Sequence, residues 1–221
     1  MLPDSRTRRL IASRFARPAD RYYIRGKLAS DPVYAATARA IAGRRMPLLD
    51  IGCGLGILGH YLHACDVLDG YLGLDHDGTK IARGQAAAEE AELGDSLTLR
   101  ESDATSPQPV RGHVALLDVL HYLPRERQPD LLRYAVDHLA GDGVLILRTV
   151  LADDSWRFRA TVWEERFIKA VGWIPGGAQH FPQEDEIREA LEPEGITVSF
   201  QPLYGRTPYN SWLLTASRQP V

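Results

Sequence analysis

From Met46 onward, apolar runs of strand length alternate with longer segments of helical period. Pro47 to Ile51 is a short apolar run that ends in glycines, and it reads as a buried strand. Tyr71 to Leu74, closing on Asp75, predicts a second strand, and Ser96 to Arg100 alternates as a third. Val114 to Leu117, followed by Asp118, and Val144 to Val150 predict two more. Between them, Gly59 to Ala64 reads as helical, and Asp77 is placed to cap an Ala-rich helix running through Glu92. Pro124 to Leu139 carries Leu131, Leu132, Ala135 and Leu139 at helical spacing and stops near Gly141. Strands separated by helix-length segments need crossover connections, which predicts a parallel sheet.

The rhythm breaks over residues 152–181, an insertion holding Trp156, Trp163, Trp173, Phe158 and Phe167 and a turn at Pro175-Gly176-Gly177. Three of the four tryptophans lie there, so this segment is marked out as something other than sheet scaffold. Glu184 to Leu191 then reads as a helix. Ile196 to Pro202 and Ser211 to Ser217 read as closing strands, joined around Gly205 and Pro208 as an antiparallel hairpin. Upstream of Met46, Asp31-Pro32 predicts a helix start with Pro32 at the first helical position, and the helix runs over 32–43 to Gly43. The stretch before it shows no clear period.

With 221 residues, 44% of them hydrophobic and 25% charged, the chain suits one domain with a well-buried core and excludes wholesale disorder. No apolar run approaches the ~20 residues of a membrane-spanning helix. Residues 1–20 carry Arg6, Arg8, Arg9, Arg14 and Arg17 without an apolar block, so no secretory signal is expected. Cys53 and Cys65 are the only cysteines, too few for a disulfide framework or a zinc site, and a cytoplasmic location is expected. The net charge of −3 argues against a general nucleic-acid binder. That average conceals an asymmetry. Residues 1–45 hold eleven Lys or Arg against three Asp, a net of +8, and the remainder carries −11. A basic, helical N-terminal arm over 1–45 is therefore expected beside an acidic body over 46–221.

The densest chemical signal is Leu48-Leu49-Asp50-Ile51-Gly52-Cys53-Gly54-Leu55-Gly56. A strand runs straight into alternating glycines and then a helix, so the backbone can turn tightly and a ligand can approach without meeting a Cβ. Free N–H groups at such a helix start would favour a carboxylate or phosphate. Two readings compete. Gly54, Gly56 and Gly59 satisfy the dinucleotide spacing, and Asp75 lies about 20 residues on, where a ribose hydroxyl is expected. Against a pyrophosphate stands Asp50, a carboxylate at the strand end that suits a ligand with a positive amino group.

The ordered set LLDIGCGLG, YLGLDHD, ESDAT, VALLDVLHYLP and LAGDGVLILRT resembles the successive motifs of class I S-adenosylmethionine-dependent methyltransferases, and with the closing strands the likeness covers about 46–218. The resemblance implies an α/β, Rossmann-like, doubly wound and mostly parallel seven-stranded sheet with an antiparallel last strand. It implies that Gly52, Cys53, Gly54 and Gly56 line the approach to S-adenosylmethionine, with Asp50 near its amino group. Asp75 would bind the ribose diol with His76 alongside the adenosine, Asp103 and Ala104 would meet the adenine, and Leu117 and Asp118 would flank the methionine part. The product would be S-adenosylhomocysteine. Cys53 reads as a small loop residue, since no partner for a reactive thiolate is visible.

For the acceptor, His121 lies three residues beyond the fourth strand, where an open α/β sheet has its ligand crevice. It is a candidate base for a phenol, hydroxyl or carboxylic acid, and His180 is a second. His60, His63, His113 and His138 look peripheral. The resemblance implies that the arm and the Trp-rich insertion are the lid elements. Arg14-Phe15, Arg21-Tyr22-Tyr23 and Arg25-Gly26-Lys27 mix cations with aromatics, as a surface for an acidic or planar substrate would. The expected acceptor is a small apolar or aromatic acid or phenol, free or tethered to an acidic acyl carrier protein. The alternatives are an NAD(P)-dependent oxidoreductase, an RNA or protein methyltransferase, and a non-catalytic cofactor-binding protein. No Tyr-x-x-x-Lys set supports the first, and Asp118-Val119-Leu120-His121 stands where a base-methylating enzyme would carry Asn-Pro-Pro-Tyr.

Overall fold

A computed structural model describes residues 3–170, 177–205 and 207–218, the side chains of 164–170 excepted. Trp173, Pro175 and Gly176 of the insertion, and the side chain of Phe167, lie outside the described residues.

Seven strands form one sheet: β1 (Pro47–Ile51), β2 (Gly70–Asp75), β3 (Leu97–Glu101), β4 (His113–Leu117), β5 (Leu145–Val150), β6 (Ile196–Pro202) and β7 (Ser211–Arg218). Their order is β3-β2-β1-β4-β5-β7-β6. The first five pair in parallel, and β7 runs antiparallel to both β5 and β6. The chain winds outward from β1 to β3, then returns to place β4 on the other side of β1. The carboxyl ends of β1 and β4 therefore flank the point where the winding reverses, which is where such sheets hold ligands.

The central strands are apolar on both faces because both faces are covered. On one face, Leu48, Ala115, Ile146 and Leu213 join a cluster with α4 (Ile57–Ala64) and α5 (Gly78–Glu90). On the other, Leu49, Ile51, Val114, Leu116 and Leu147 pack under α6 (Gln128–Asp137) and α8 (Glu184–Leu191). Asp77 caps α5 by accepting from the N–H of Thr79 at 3.0 Å and of Lys80 at 3.1 Å. A capping box of Gln183 and Glu186 starts α8.

The basic arm consists of α1 (Ser5–Ser13), α2 (Pro18–Ser30) and α3 (Val33–Ile41). The first two helices fall where the sequence shows no clear period. Their buried apolar residues are few, Ile11 and Ala12 on α1 and Ile24 and Leu28 on α2; with Phe15 just beyond α1 they lie inside the same cluster as Leu48 and Ile146. The arm thus shares a continuous core with the sheet. The third helix is shorter than the expected 32–43, with Pro32 just outside it and Asp31 accepting from Val33 N–H at 3.1 Å.

In the insertion, α7 (Trp156–Ala170) is a helix whose Trp156 and Trp163 are exposed. Thr161 anchors it. The Thr161 hydroxyl oxygen accepts from Asn210 N–H at 3.0 Å, while the Asn210 side chain donates to the Leu151 carbonyl at 2.8 Å.

Candidate functional site

The turn between β1 and α4 is held from inside. The Leu74 carbonyl accepts from Gly52 N–H at 2.7 Å and Cys53 N–H at 2.9 Å. Gly54 N–H donates to Asp75 Oδ2 at 2.8 Å, and Gly56 N–H donates to the Cys53 carbonyl at 3.0 Å. The amides of Gly52, Cys53, Gly54 and Gly56, in the turn ahead of α4, are therefore paired within the protein. The turn needs glycine for its backbone, with φ of +80° at Gly52 and +57° at Gly54. At Gly52 there is also no room: a Cβ would stand 2.2 Å from Val119 Cγ2, where the ends of β1 and β4 meet.

Two carboxylates bracket this turn. Asp75 closes β2, nearly buried. Its Oδ2 accepts from Gly54 and its Oδ1 from Asp77 N–H at 2.9 Å. Each oxygen keeps a second lone pair for an outside hydroxyl donor. His76 beside it is exposed, with Nδ1 3.5 Å from Asp75 Oδ1. Asp50 sits behind the turn, 2% exposed, and accepts from the Tyr71 hydroxyl through Oδ2. Its Oδ1 is buried with no partner among the described residues.

Burial pushes the Asp50 carboxyl up to about 7, with Tyr71 opposing the rise and Asp75 adding to it. Between the ordinary Asp value of about 4 and this one, the folded chain holds a proton that the unfolded chain has released. Asp50 thus lowers stability as pH rises through that window. A cation beside Oδ1 would remove the penalty. An orphaned buried oxygen and a strand-end carboxylate with spare lone pairs fit a ligand carrying an ammonium group and a sugar diol. They fit a pyrophosphate poorly. Cys53 is no nucleophile here, because burial holds its thiol well above the usual range.

The remaining expected residues ring the same end of the sheet. Asp103 follows β3, exposed, in a turn closed by Ser106 N–H to its carbonyl at 3.2 Å; Ala104 is half-buried beside it. Leu117 ends β4, and Asp118 follows with φ of +61°, a strained value for a residue with a side chain. The Asp118 carboxylate is engaged by Arg148 on β5, through Nε to Oδ1 at 2.9 Å and through Nη2 to Oδ2. The same guanidinium donates through Nη1 to both oxygens of Asp31 in the α2–α3 elbow, at 2.6 and 2.7 Å. Burial opposes the Arg148 charge, but Asp118 and Asp31 overcome it and raise its pKa. Burial likewise works against the Asp31 carboxylate, yet Arg148 and Lys27 hold its pKa below the ordinary value.

His121 is buried in the turn after β4, with Nδ1 3.4 Å from the Thr149 hydroxyl. Burial lowers its pKa, so the imidazole is neutral near pH 7. Phe181 stacks on it with centroids 5.8 Å apart. His180 is turned elsewhere: its Nε2 lies 3.0 Å from Glu186 Oε2, and Glu186 also pairs with Arg125. Buried Gln128 ties these pieces together, with Nε2 donating to the carbonyls of Leu120, Leu123 and His180. Among the histidines set aside, buried His113 is satisfied by the Arg44 carbonyl at 2.7 Å and Val144 N–H at 3.0 Å.

Tyr71, Arg148 and Asp31 escaped the sequence reading, though two of them left a signal. Tyr71 is two residues before Gly73, the register partner of Asp50, so it shares that carboxylate's side of the sheet. Arg148 is a lone charge inside an apolar strand, and a buried charge requires a partner.

The profile of a methyltransferase domain family matches residues 21–199. The chain belongs to that family. No curated protein matches it. Among solved structures, the methyltransferase domain is similar to the pyocyanin biosynthetic protein PhzM, with a TM-score of 0.69, 18% identity and 95% of this chain covered. It is also similar to magnesium protoporphyrin IX methyltransferase (ChlM) from Synechocystis PCC 6803 with bound S-adenosylhomocysteine, at a TM-score of 0.66 and 23% identity. That match covers 97% of this chain and 94% of the other. A third neighbour is the O-methyltransferase NcsB1 from neocarzinostatin biosynthesis, solved with S-adenosylmethionine and 2-hydroxy-5-methyl naphthoic acid. Its TM-score is 0.63 at 17% identity, over 88% of this chain and 55% of that one. The chain spans about three-fifths of the length of PhzM. At these identities the likeness establishes the doubly wound fold, including the antiparallel β7. Among the described residues no helix is long and apolar enough to cross a membrane, and no group of His, Cys, Asp and Glu is arranged to hold a metal ion.

Proposed function

We propose that this protein transfers a methyl group from S-adenosylmethionine to an oxygen or carbon of a small apolar or aromatic acid or phenol. The observation that carries this reading is the carboxylate pair around the glycine turn, Asp50 with a free buried oxygen and Asp75 with spare lone pairs. When bound, the cofactor supplies an activated sulfonium methyl, so the protein's task is alignment. Asp75 would receive the ribose hydroxyls, with exposed His76 flanking the adenosine. Asp103 and Ala104 would meet the adenine edge. Gly52, Cys53, Gly54 and Gly56 would let the backbone approach, and Asp50 would face the amino group. Leu117 and Asp118 would border the methionine part. His121, kept neutral by burial, is our candidate to take the acceptor's proton. His180, held by Glu186, would act by positioning the segment that covers His121.

NcsB1 and ChlM were solved with the cofactor or its product, and their named substrates are aromatic, which supports an aromatic acceptor here. Exposed Tyr22 and Tyr23 on α2, and Trp156 and Trp163 on α7, supply ring surface on both lid elements. The basic arm also suits an acidic carrier protein presenting a tethered acid. Equal turnover of free and carrier-bound acid would remove that part of the proposal.

Calorimetry is the direct test of the central reading. Micromolar binding of S-adenosylhomocysteine with no heat from NAD is expected, and the reverse would overturn it. The affinity should also depend on pH. Below about 7, Asp50 is mostly protonated in the free protein, and an ammonium partner must displace that proton. S-adenosylhomocysteine affinity should therefore rise up to about tenfold per unit from pH 5.5 to 7 and level off above. Asp50→Asn should bind more weakly and lose the slope. A wild-type profile that is flat across this range would sever Asp50 from the amino group.

A further inference from the structure

The geometry points to Arg157 as the residue that selects an acceptor bearing a carboxylate on an aromatic body. This inference rests on the methyl-transfer reading and adds to it the substrate feature that is recognised. One side of α7 faces inward. Phe158 meets Phe181 edge-on with centroids 5.6 Å apart, and Phe181 stacks on His121. Thr161, one turn further, is bonded to Asn210 at the start of β7. This side of α7 is therefore turned toward the carboxyl ends of β4 and β5, and Arg157 lies on it beside Phe158.

The Arg157 guanidinium is half-buried between two rings, 4.3 Å from the Tyr204 centroid and 4.8 Å from that of Trp156. Nη1 donates to the Thr207 carbonyl at 2.7 Å. Among the described residues it has no carboxylate partner. Elsewhere Arg83 pairs with Asp20 and Arg148 with Asp31 and Asp118, while half-buried Arg14 meets the His60 ring. A cation withdrawn from water gains most from an anion. Here the fold supplies aromatic faces and one carbonyl instead, which leaves Nε and Nη2 as donors.

The location fits an acceptor rim. The loop that carries Tyr204 and Thr207 also touches the arm: a Cβ on Gly205 would stand 3.2 Å from Pro32 Cδ and 3.7 Å from the Ser30 carbonyl oxygen. The β6–β7 loop thus joins α7 to the α2–α3 elbow, and Arg157 sits at that junction. Stacking fixes the plane of the guanidinium, and its fork matches a carboxylate bidentately. The rings of Trp156 and Tyr204 beside it suit the flat body of an aromatic acid. A residue that only stapled α7 to the loop would need Nη1 alone.

The test uses the full chain saturated with S-adenosylhomocysteine, titrated with 1-hydroxy-2-naphthoic acid and with its uncharged carboxamide. The acid should bind at least tenfold more tightly. Arg157→Met keeps the apolar stem across Tyr204 and should bring the acid down to the affinity of the amide, leaving the amide unchanged. Arg157→Lys should keep part of the preference. Equal binding of acid and amide by the wild-type chain, binding of neither, or equal weakening of both by Arg157→Met would overturn the inference. The preliminary S-adenosylhomocysteine titration separates the two levels. If that ligand fails to bind, the methyl-transfer reading falls and takes this with it. If it binds and no acid preference follows, only the assignment to Arg157 falls. The wild-type comparison and the lysine variant keep the question open to refutation should Arg157→Met not fold.

Discussion

Asp75→Ala should lower S-adenosylhomocysteine affinity by about 100-fold or more. A carboxylate accepting from two ribose hydroxyls makes two charge-assisted hydrogen bonds, each worth roughly 1.5–3 kcal/mol. The substitution also frees the N–H groups of Gly54 and Asp77, so part of any loss could come from a loosened turn. A thermodynamic cycle separates the two contributions. The wild-type chain should bind a 2′,3′-dideoxyribose analogue of S-adenosylhomocysteine as poorly as Asp75→Ala binds the parent compound. The variant itself should scarcely distinguish the two ligands. If Asp75→Ala still prefers the intact diol by the wild-type factor, Asp75 holds the turn and does not touch the sugar.

The sheet was legible because each central strand is covered on both faces and so reads as an apolar run with a ligand-facing acidic or glycine end. Asp50, Asp75 and Asp118 stand at three such ends. What the sequence hid falls into two kinds. The individual helices α1 and α2 within the arm were hidden because arginines crowd their exposed sides, while the buried apolar positions are only Ile11 and Ala12, Phe15 just beyond α1, and Ile24 and Leu28. In retrospect, spacings of three and four among those residues carry the helical period. The second kind is long-range pairing. Asp31 was read as a helix-start residue, which it is, through its bond to Val33. Its ion pair with Arg148, 117 positions away, has no local trace. The same holds for the loop amides. Glycine spacing announced a tight turn, but Leu74 and Asp75, which use up the N–H groups, belong to another strand. Turn chemistry can be read from the turn itself, whereas its electrostatics depend on the register of β1 against β2.

Arg148→Met should be the most damaging single change to stability away from the apolar core. The substitution keeps most of the side-chain volume and removes the charge. Mostly buried Asp31 and half-exposed Asp118 then face each other with no cation between them. Breaking a buried pair from one side typically costs about 3–5 kcal/mol. Asp118 is 40% exposed, so water screens its share and about 3 kcal/mol is the better figure. For a domain of this size that lowers the melting temperature by roughly 6–12 °C. The pH dependence has a definite sign. In the wild-type chain the depressed pKa of Asp31 contributes stability above the ordinary carboxylate range, and that contribution is lost as pH falls through the lowered value. In Arg148→Met the same carboxylate is buried without its cation, so protonation relieves it. The deficit of the variant should therefore shrink as pH falls from 7 toward 4, and melting curves at several pH values read this directly. Because Asp31 lies in the α2–α3 elbow and Asp118 at the end of β4, the loss should not stay local. Hydrogen exchange should quicken in α2 and α3 while β1 and β2 keep their protection. Uniform exchange across the sheet would instead mean that Arg148 stabilises the whole domain and does not specifically fasten the arm to the mouth of the site.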